Sequence, residues 1–522
     1  MNNENVTGYL KNYDLLDAKP LTMPLYSGLL DMGVRAVSVL KTRTGFRLAI
    51  GGELCDKIAG DAAPLHYIIP VVSARDLGSG EFCRAYGTDC AYYAGAMANA
   101  ISSDDMVIAL GKAGYMGSYG SGGMSPDVVE QAIDRIQEAL PRGPYLINLL
   151  HAQNDGEREE QLVSLFLRKS VKAIEASAFV EVSPALVRYR LTGLAMSGGA
   201  VRAENKIIAK VSREEVAEKF MIPPDRRIVE ELVAKGLVTA EQAELAKNIP
   251  MADDITAEAD SGGHTDGRPL VSLLPLMIAV RDEIQLRYAF NQPVRVGAAG
   301  GIGTALSAAG AFMMGADYVV TGSVNQACLE AGTCDYVKQA LAKVEMSDVV
   351  MAPSADMFES GARVQVVKKG TMFPMNAQKL YELYTRFGSL EEIPEKDKKS
   401  IETRLFHNDF ETVWGFVKEY FEKVDANQIR RAETNAKYKM ALVFRWYLGN
   451  SSRWAVRGEQ DRKMDMQVWC GKSMGAFNRW VADTELEQPE NRTVVAVADK
   501  IMREAAFITM RKCLKCTDFT EV

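Results

Sequence analysis

Between about residues 90 and 323 the chain alternates short apolar runs with amphipathic stretches. Short apolar runs bounded by turn residues predict strands, and stretches with apolar residues every three or four positions predict helices. The eight runs are CAYYAGA (90–96), YMGSY (115–119), YLINLLH (145–151), VKAIEAS (171–177), KIIAKVS (206–212), ITAEAD (255–260), VRVGAA (294–299) and YVVTGS (318–323). Repeated strand–helix units feed a parallel sheet, and eight of them predict an α/β fold of the TIM (β/α)8 barrel type. The helix expected after the second strand opens on Ser125-Pro126, with Val129, Ile133, Ile136 and Leu140 at helical spacing.

The period breaks in three places. Residues 213–253 carry extra helical patterns, separated by Ile222-Pro223-Pro224 and Gly236, and predict a helical insertion between strands five and six. Thr239 and Gln242 form the capping box expected to open its second helix. Residues 1–87, rich in Gly, Pro and β-branched side chains, predict an accessory region of strands and turns before a barrel at 88–375. Residues 376–522 read as a separate C-terminal helical region, which holds all five tryptophans, Trp414, Trp446, Trp454, Trp469 and Trp480.

Composition narrows the class. With 47% hydrophobic and 25% charged residues the chain is globular, and a net charge of −7 argues against a general nucleic-acid binder. No apolar run approaches the roughly 20 residues of a membrane span, and MNNENVTGYL has no basic-then-apolar leader. The eight scattered cysteines then predict free thiols in a reducing cytoplasm. His66, His151, His264 and His407 show no metal-ligand spacing, and Cys513-Leu-Lys-Cys516 is a lone CxxC, so no metal is expected.

Chemistry in such a barrel gathers at the C-terminal ends of the strands, and a phosphate is often held by the loops after strands seven and eight. Gly300 and Gly301 in the first of those loops, and Gly322 and Ser323 in the second, free backbone N–H groups for an anion. A dinucleotide fingerprint fails, because Leu306 stands where G-x-G-x-x-G from Gly301 requires glycine. In AEADSGGHTDGRP (257–269), His264 follows two glycines at the end of strand six, which suits a proton donor or acceptor near neutrality; the alternative is a loop histidine bonded to Asp266. Lys210 and Asn148 are polar residues at the ends of apolar strands; each is open to reading as a ligand contact or as a structural residue. The run RWYLGNSSRWAVRGEQDRK (445–463) is a solvated face over an aromatic core or a docking surface for an acidic partner.

The strings YAGAMANAIS, EASAF, IAKVSREEVA, MADDITAEADSGGHTD, VGAAGGIGT, YVVTGSVNQACLEAGT, KKGTMFPM, ALVFRWYLG, SSRWA and QVWCGKSMGAFNRWV are specific and ordered. Through them the chain resembles the PfaD-type trans-acting enoyl reductases of trans-acyltransferase polyketide synthases and polyunsaturated fatty acid synthases. It resembles more distantly the flavin-dependent enoyl reductases and nitronate monooxygenases. The resemblance implies FMN in the barrel, NADPH as reductant, and an α,β-unsaturated acyl thioester on an acyl carrier protein as substrate. It implies FMN phosphate at Gly300, Gly301, Gly322 and Ser323. Gly95, Ala96, Met97, Gly117, Asn148, Lys210, Ser261, Gly262 and Gly263 would surround the flavin, and His264 would donate a proton or polarise the thioester carbonyl. Two departures are Gly267, where the family more often has asparagine, and Gly471-Lys472-Ser473 in place of Gly-Pro-Ala, a site expected to lie far from the chemistry. The alternatives are a nitronate monooxygenase-like oxidase and a flavin-binding scaffold without turnover.

Overall fold

The computed structural model describes residues 8–16, 21–42, 45–57, 60, 62–151 and 156–515. Four antiparallel strands open the chain: β1 (Gly8–Leu15), β2 (Ala36–Thr42), β3 (Gly45–Cys55) and β4 (Ala63–Pro70). They pair in the order β1-β3-β2-β4 and close through β1 and β4. The region expected to be one of strands and turns also contains the helices Met23–Asp31 and Gly80–Tyr86. Both bury apolar faces through Tyr26, Leu29 and Phe82, which a reading based on β-branched content overlooked.

The barrel begins with β5 (Tyr92–Ala94), β6 (Met116–Tyr119), β7 (Leu146–Leu150) and β8 (Ala173–Ser177). A small hairpin, β9 (Ala195–Ser197) and β10 (Ala200–Arg202), precedes β11 (Lys206–Val211) and β12 (Asp254–Glu258). A two-residue strand, β13 (Gly263–His264), leaves the barrel before β14 (Arg295–Ala299) and β15 (Val319–Thr321) complete it. The closed parallel order is β5-β6-β7-β8-β11-β12-β14-β15, so the eight barrel strands overlap the eight apolar runs. Between β11 and β12 lie the helices Glu214–Met221, Arg226–Ala234 and Ala240–Leu245, the last opened by the Thr239–Gln242 capping box. The first of these packs on β11 and β12 as an ordinary crossover helix.

The N-terminal end of the barrel is sealed. Arg295 makes two 2.7 Å bonds to the fully buried Asp254, which also accepts the Tyr86 hydroxyl at 2.5 Å. Above this layer Thr256 links the hydroxyls of Tyr93 and Tyr318 at 3.1 and 2.9 Å, and Phe82 stacks on Tyr318. Buried, paired groups of this kind hold a fold rather than react, so the open end is the C-terminal mouth.

Two strands, β16 (Val349–Pro353) and β17 (Arg363–Val367), follow the barrel and pair with β13 in the order β13-β17-β16. The hydrophobic cores divide the chain differently from the expected boundary at 376. One core runs from Ala327 to Met474 and includes Trp414, Trp454 and Phe444. The barrel core takes in Leu21 and Tyr26 from the first region, and Phe477, Val497, Ile501 and Met502 from the end of the chain. The last helix, Val494–Lys515, packs on the barrel helix Ala305–Met313, so the C-terminal segment returns to the barrel. The elements that share the Ala327–Met474 core, β16 and β17 among them, form the cap. Apolar spacing along one helix marks which face is buried but not which neighbour buries it.

Candidate active site at the barrel mouth

Side chains alternate along a strand, so residues two apart share a face. Met116, Leu146, Ala173 and Ile208 lie in the cluster that fills the barrel interior. Two residues further on, Ser118, Asn148, Glu175 and Lys210 therefore form the next inward layer, with Glu258 from β12 beside them. Lys210 Nζ stands 3.3 Å from Glu175 Oε1 and 3.4 Å from Glu258 Oε1. Burial works against the Lys210 ammonium, but the two carboxylates outweigh it and hold its pKa above the ordinary lysine value. The lysine is a permanent cation at neutral pH, and its salt-bridged role and its place in the mouth coincide. Asn148 donates to Glu175 O at 3.0 Å and Ser177 Oγ at 2.9 Å. Glu175, fully buried, also accepts the Ala96 N–H at 3.1 Å, which ties the loop after β5 to this layer.

The rest of that loop is held from within. Gly95 donates to Thr321 O at 2.9 Å, and Met97 N donates to Ser102 Oγ, which donates to Gly95 O. Gly117 has a different reason to be glycine. A Cβ there would stand 3.0 Å from Val107 Cα, on the helix Asp104–Lys112 outside the barrel. Its glycine is accounted for by helix packing, and Gly120 is the glycine whose Cβ would strike the Met97 carbonyl.

The two phosphate-type loops lie side by side after β14 and β15. Gly300 has φ +81° and presses on the Ala259 backbone, where a Cβ would lie 2.6 Å away. Gly301, with φ +76°, faces open space, which leaves its N–H approachable. Thr304 caps the helix Ala305–Met313 through a capping box with Ser307. Ser323 Oγ accepts the Gly471 N–H at 2.8 Å.

That last bond corrects the expectation that Gly471-Lys472-Ser473 lies far from the chemistry. Residues 469–473 form a strap across the loops: a Cβ on Gly262 would meet Gly471 N at 2.8 Å and Cys470 C at 2.9 Å, and one on Gly303 would meet Ser473 O at 2.6 Å. Asp260 fastens the strap, bonding Lys472 Nζ at 3.2 Å and Gln365 Nε2 at 2.6 Å. Burial pushes the Cys470 thiol up to about 12, so this cysteine stays protonated. Among the described residues no group of three metal-type side chains is placed to hold an ion, and no helix is long and apolar enough to cross a membrane. Cys516 lies outside the described residues.

His264 leaves the barrel on β13, and β17 carries it beside the strap. Its Nε2 lies 3.0 Å from Asp356 Oδ1 and 3.1 Å from Ser354 Oγ, and Trp469 packs edge-on against the ring at 5.6 Å. The expected alternative partner, Asp266, is instead bound by Arg213 at 2.9 Å and Ser212 at 2.6 Å, which hold its carboxyl at about 2. Burial lowers the His264 pKa, but Asp356 and, more weakly, Glu258 outweigh it, and the net shift is upward.

The docking reading of 445–463 loses two of its cations. Arg462 is buried, donating to the carbonyls of Leu405 at 2.7 Å and Phe406 at 2.8 Å, and Arg445 pairs with Glu359 at 3.1 Å. Sequence reasoning also missed Glu175, Asp356 and the strap. Only Glu175 carried a signal, as the sole charge in Ala173–Ser177, AIEAS.

The geometry can now be set beside known proteins. The nitronate monooxygenase family model matches residues 91–383, more than half of the chain and nearly all of the barrel. The chain belongs to the nitronate monooxygenase family. It is 42% identical to the enoyl reductase domain of MlnA from the macrolactin biosynthesis cluster of Bacillus amyloliquefaciens, with a TM-score of 0.81 over 85% of this chain and 99% of that domain. It is 46% identical over 456 residues to a polyunsaturated fatty acid synthase protein of Thraustochytrium sp., covering 86% of this chain and 30% of that protein. It is 44% identical over 474 residues to the polyketide biosynthesis protein PksE of Bacillus subtilis, covering 87% of this chain and 61% of that protein. The chain thus spans less than two thirds of either of these two relatives. A second family model, the inserted helical domain of [acyl-carrier-protein] S-malonyltransferase, matches residues 387–466, within the cap.

Proposed function

We propose that this family member is an enoyl reductase that uses FMN and NADPH to reduce the α,β-double bond of thioesters carried by acyl carrier proteins in polyketide or polyunsaturated fatty acid synthesis. The observation that carries the reading is the 42% identity across 99% of the macrolactin enoyl reductase domain. The mouth fits FMN on its own terms. Gly301 is open at positive φ, Ser323 offers a hydroxyl in the neighbouring loop, and Ser118 Oγ is buried without a partner among the described residues in the layer of Asn148 and Glu175. Backbone N–H groups and hydroxyls, held by glycines that admit close approach, suit a phosphate. FMN when bound would carry hydride from the nicotinamide to the β-carbon of the substrate.

This chain's residues supply the rest. The loops at Gly300–Gly301 and Gly322–Ser323 would hold the phosphate, with the strap excluding water over them. Asn148 and Lys210, the backbone at Gly95–Met97, and the Ser261–Gly263 turn would border the ring. Hydride addition places negative charge on the thioester oxygen, and His264 would meet it with a hydrogen bond or return a proton to the α-carbon.

The test is anaerobic oxidation of NADPH by the purified yellow protein, with and without a crotonyl thioester. Thioester-dependent turnover is expected. Its absence, with rapid oxygen uptake on a nitronate, would establish the oxidase reading instead, and a colourless protein that rebinds no flavin would establish a scaffold. His264→Ala is expected to retain FMN and lose thioester reduction.

A further inference from the structure

We propose that Asp356 is the positioning carboxylate of His264, holding its Nε2 so that Nδ1 is the nitrogen offered to substrate as a proton-bearing group. The inference rests on the enoyl-reductase reading for the identity of the substrate, while the pairing itself rests on geometry. Nε2 has two oxygen partners, Asp356 Oδ1 at 3.0 Å and Ser354 Oγ at 3.1 Å, and Nδ1 has none among the described residues. A carboxylate on one ring nitrogen fixes the tautomer and orientation of an imidazole and stabilises its cation.

The partner comes from outside the barrel, and the cap holds it in place. Asp356 lies in the turn between β16 and β17, three residues beyond the end of β16. Phe358, fully buried, anchors that turn against Tyr381 at a ring separation of 5.5 Å. Glu359 ties it to the long helix Ala436–Arg457 through Arg445. Ser354 donates its hydroxyl to Asp356, and its own N–H to Ala362 O at 2.9 Å. Asp356 also borders an open cavity of about 340 Å³ that Arg431, Tyr438 and Arg445 line.

The charges bearing on the ring share one sign: Asp356 from the cap and Glu258 from the barrel, with Ser354 and Trp469 as uncharged neighbours. Both carboxylates favour the imidazolium. A general base at this position would need the ring without its proton, and the pairing favours the opposite state. His264 is thereby suited to neutralise charge that develops on a thioester oxygen.

Four histidines make the test direct. In the FMN-loaded protein labelled with 15N-histidine, His264→Asn identifies the His264 ring signals. Asp356→Asn, isosteric and on a well-exposed side chain, is expected to lower the His264 titration midpoint by about one unit or more, leaving the other histidines and the flavin spectrum unchanged. Asp356→Glu should restore part of the shift. With the crotonyl thioester, Asp356→Asn should lower kcat/KM by about 10-fold or more and move the alkaline limb of its pH profile to lower pH. An unmoved His264 midpoint in Asp356→Asn overturns the proposal. If the unaltered protein reduces no thioester, the titration still decides the pairing, so failure of the enoyl-reductase reading and failure of the pairing are separately visible.

Discussion

Gly471 donates its backbone N–H to Ser323 Oγ at 2.8 Å, a bond that joins positions 148 residues apart. It brings the cap's last turn onto the loop after the final barrel strand, so any anion held by Ser323 is covered by residues the barrel does not contain. The two glycines facing each other at this crossing, Gly262 and Gly471, leave no room for a side chain.

Gly262→Val should therefore lift the strap. Its Cβ would lie within 2.9 Å of backbone atoms of Cys470 and Gly471, atoms that cannot rotate away. A loss of about 1–3 kcal/mol in stability is expected, with reduced flavin retained on purification, read by absorbance and denaturant midpoint. Gly117→Ala is the contrast: it crowds Val107 outside the barrel and should lower stability with flavin content unchanged.

Lys210→Met should cost about 3–5 kcal/mol, because it strands the fully buried Glu175 without its cation. Adding Glu175→Gln to it should recover much of that loss, since a neutral amide needs no counter-charge. Urea denaturation of both variants and the double variant checks this; a double variant as unstable as the sum of the two would show the pair is not coupled.

The pH dependence of the His264–Asp356 pair has a definite sign. His264 is shifted above its ordinary 6.5, so its contribution is complete below that pH and is lost as pH rises through the folded value. Asp356 is shifted below its ordinary 3.8, so its contribution is present above that pH and is lost as pH falls through the folded value. The difference in Tm between the unaltered protein and Asp356→Asn should be greatest between those limits, near pH 5–6, and shrink by pH 9. Differential scanning fluorimetry across that range checks it.

Arg462→Lys should destabilise the cap rather than weaken partner binding. The guanidinium spans the Leu405 and Phe406 carbonyls, reaches Asp465 at 3.3 Å and lies over the Trp454 ring at 4.3 Å, and one ammonium cannot serve that planar set. A loss of about 2–4 kcal/mol is expected, measured by the cap's tryptophan fluorescence on denaturation.

The order of the barrel strands was legible because each apolar run is a strand buried on both faces, and such burial leaves a mark in consecutive residues. Lys210 and Asn148 were legible as polar breaks in those runs, and Glu175 carried the same mark without being read. Gly117 shows the opposite case: a glycine at a strand end looks the same in sequence whether a ligand or a helix occupies the space beside it. Which core a helix joins was not legible: the segment from Phe477 onward has helical spacing like the cap's, yet its apolar face is buried by the barrel.

By itself the sequence determined what alternation and local chemistry can determine: eight strands in order, the glycine loops after the last two, and a histidine at the end of the sixth. Only the tertiary structure decided what stands opposite those residues. Asp356 reaches His264 from 92 positions away, and the strap meets Ser323 from 148. No periodicity encodes such pairs, because the contact is set by how β13 joins a second sheet and where the cap's core places that sheet's turn. The barrel's location of the chemistry was local information; the partner that sets the histidine's charge was not.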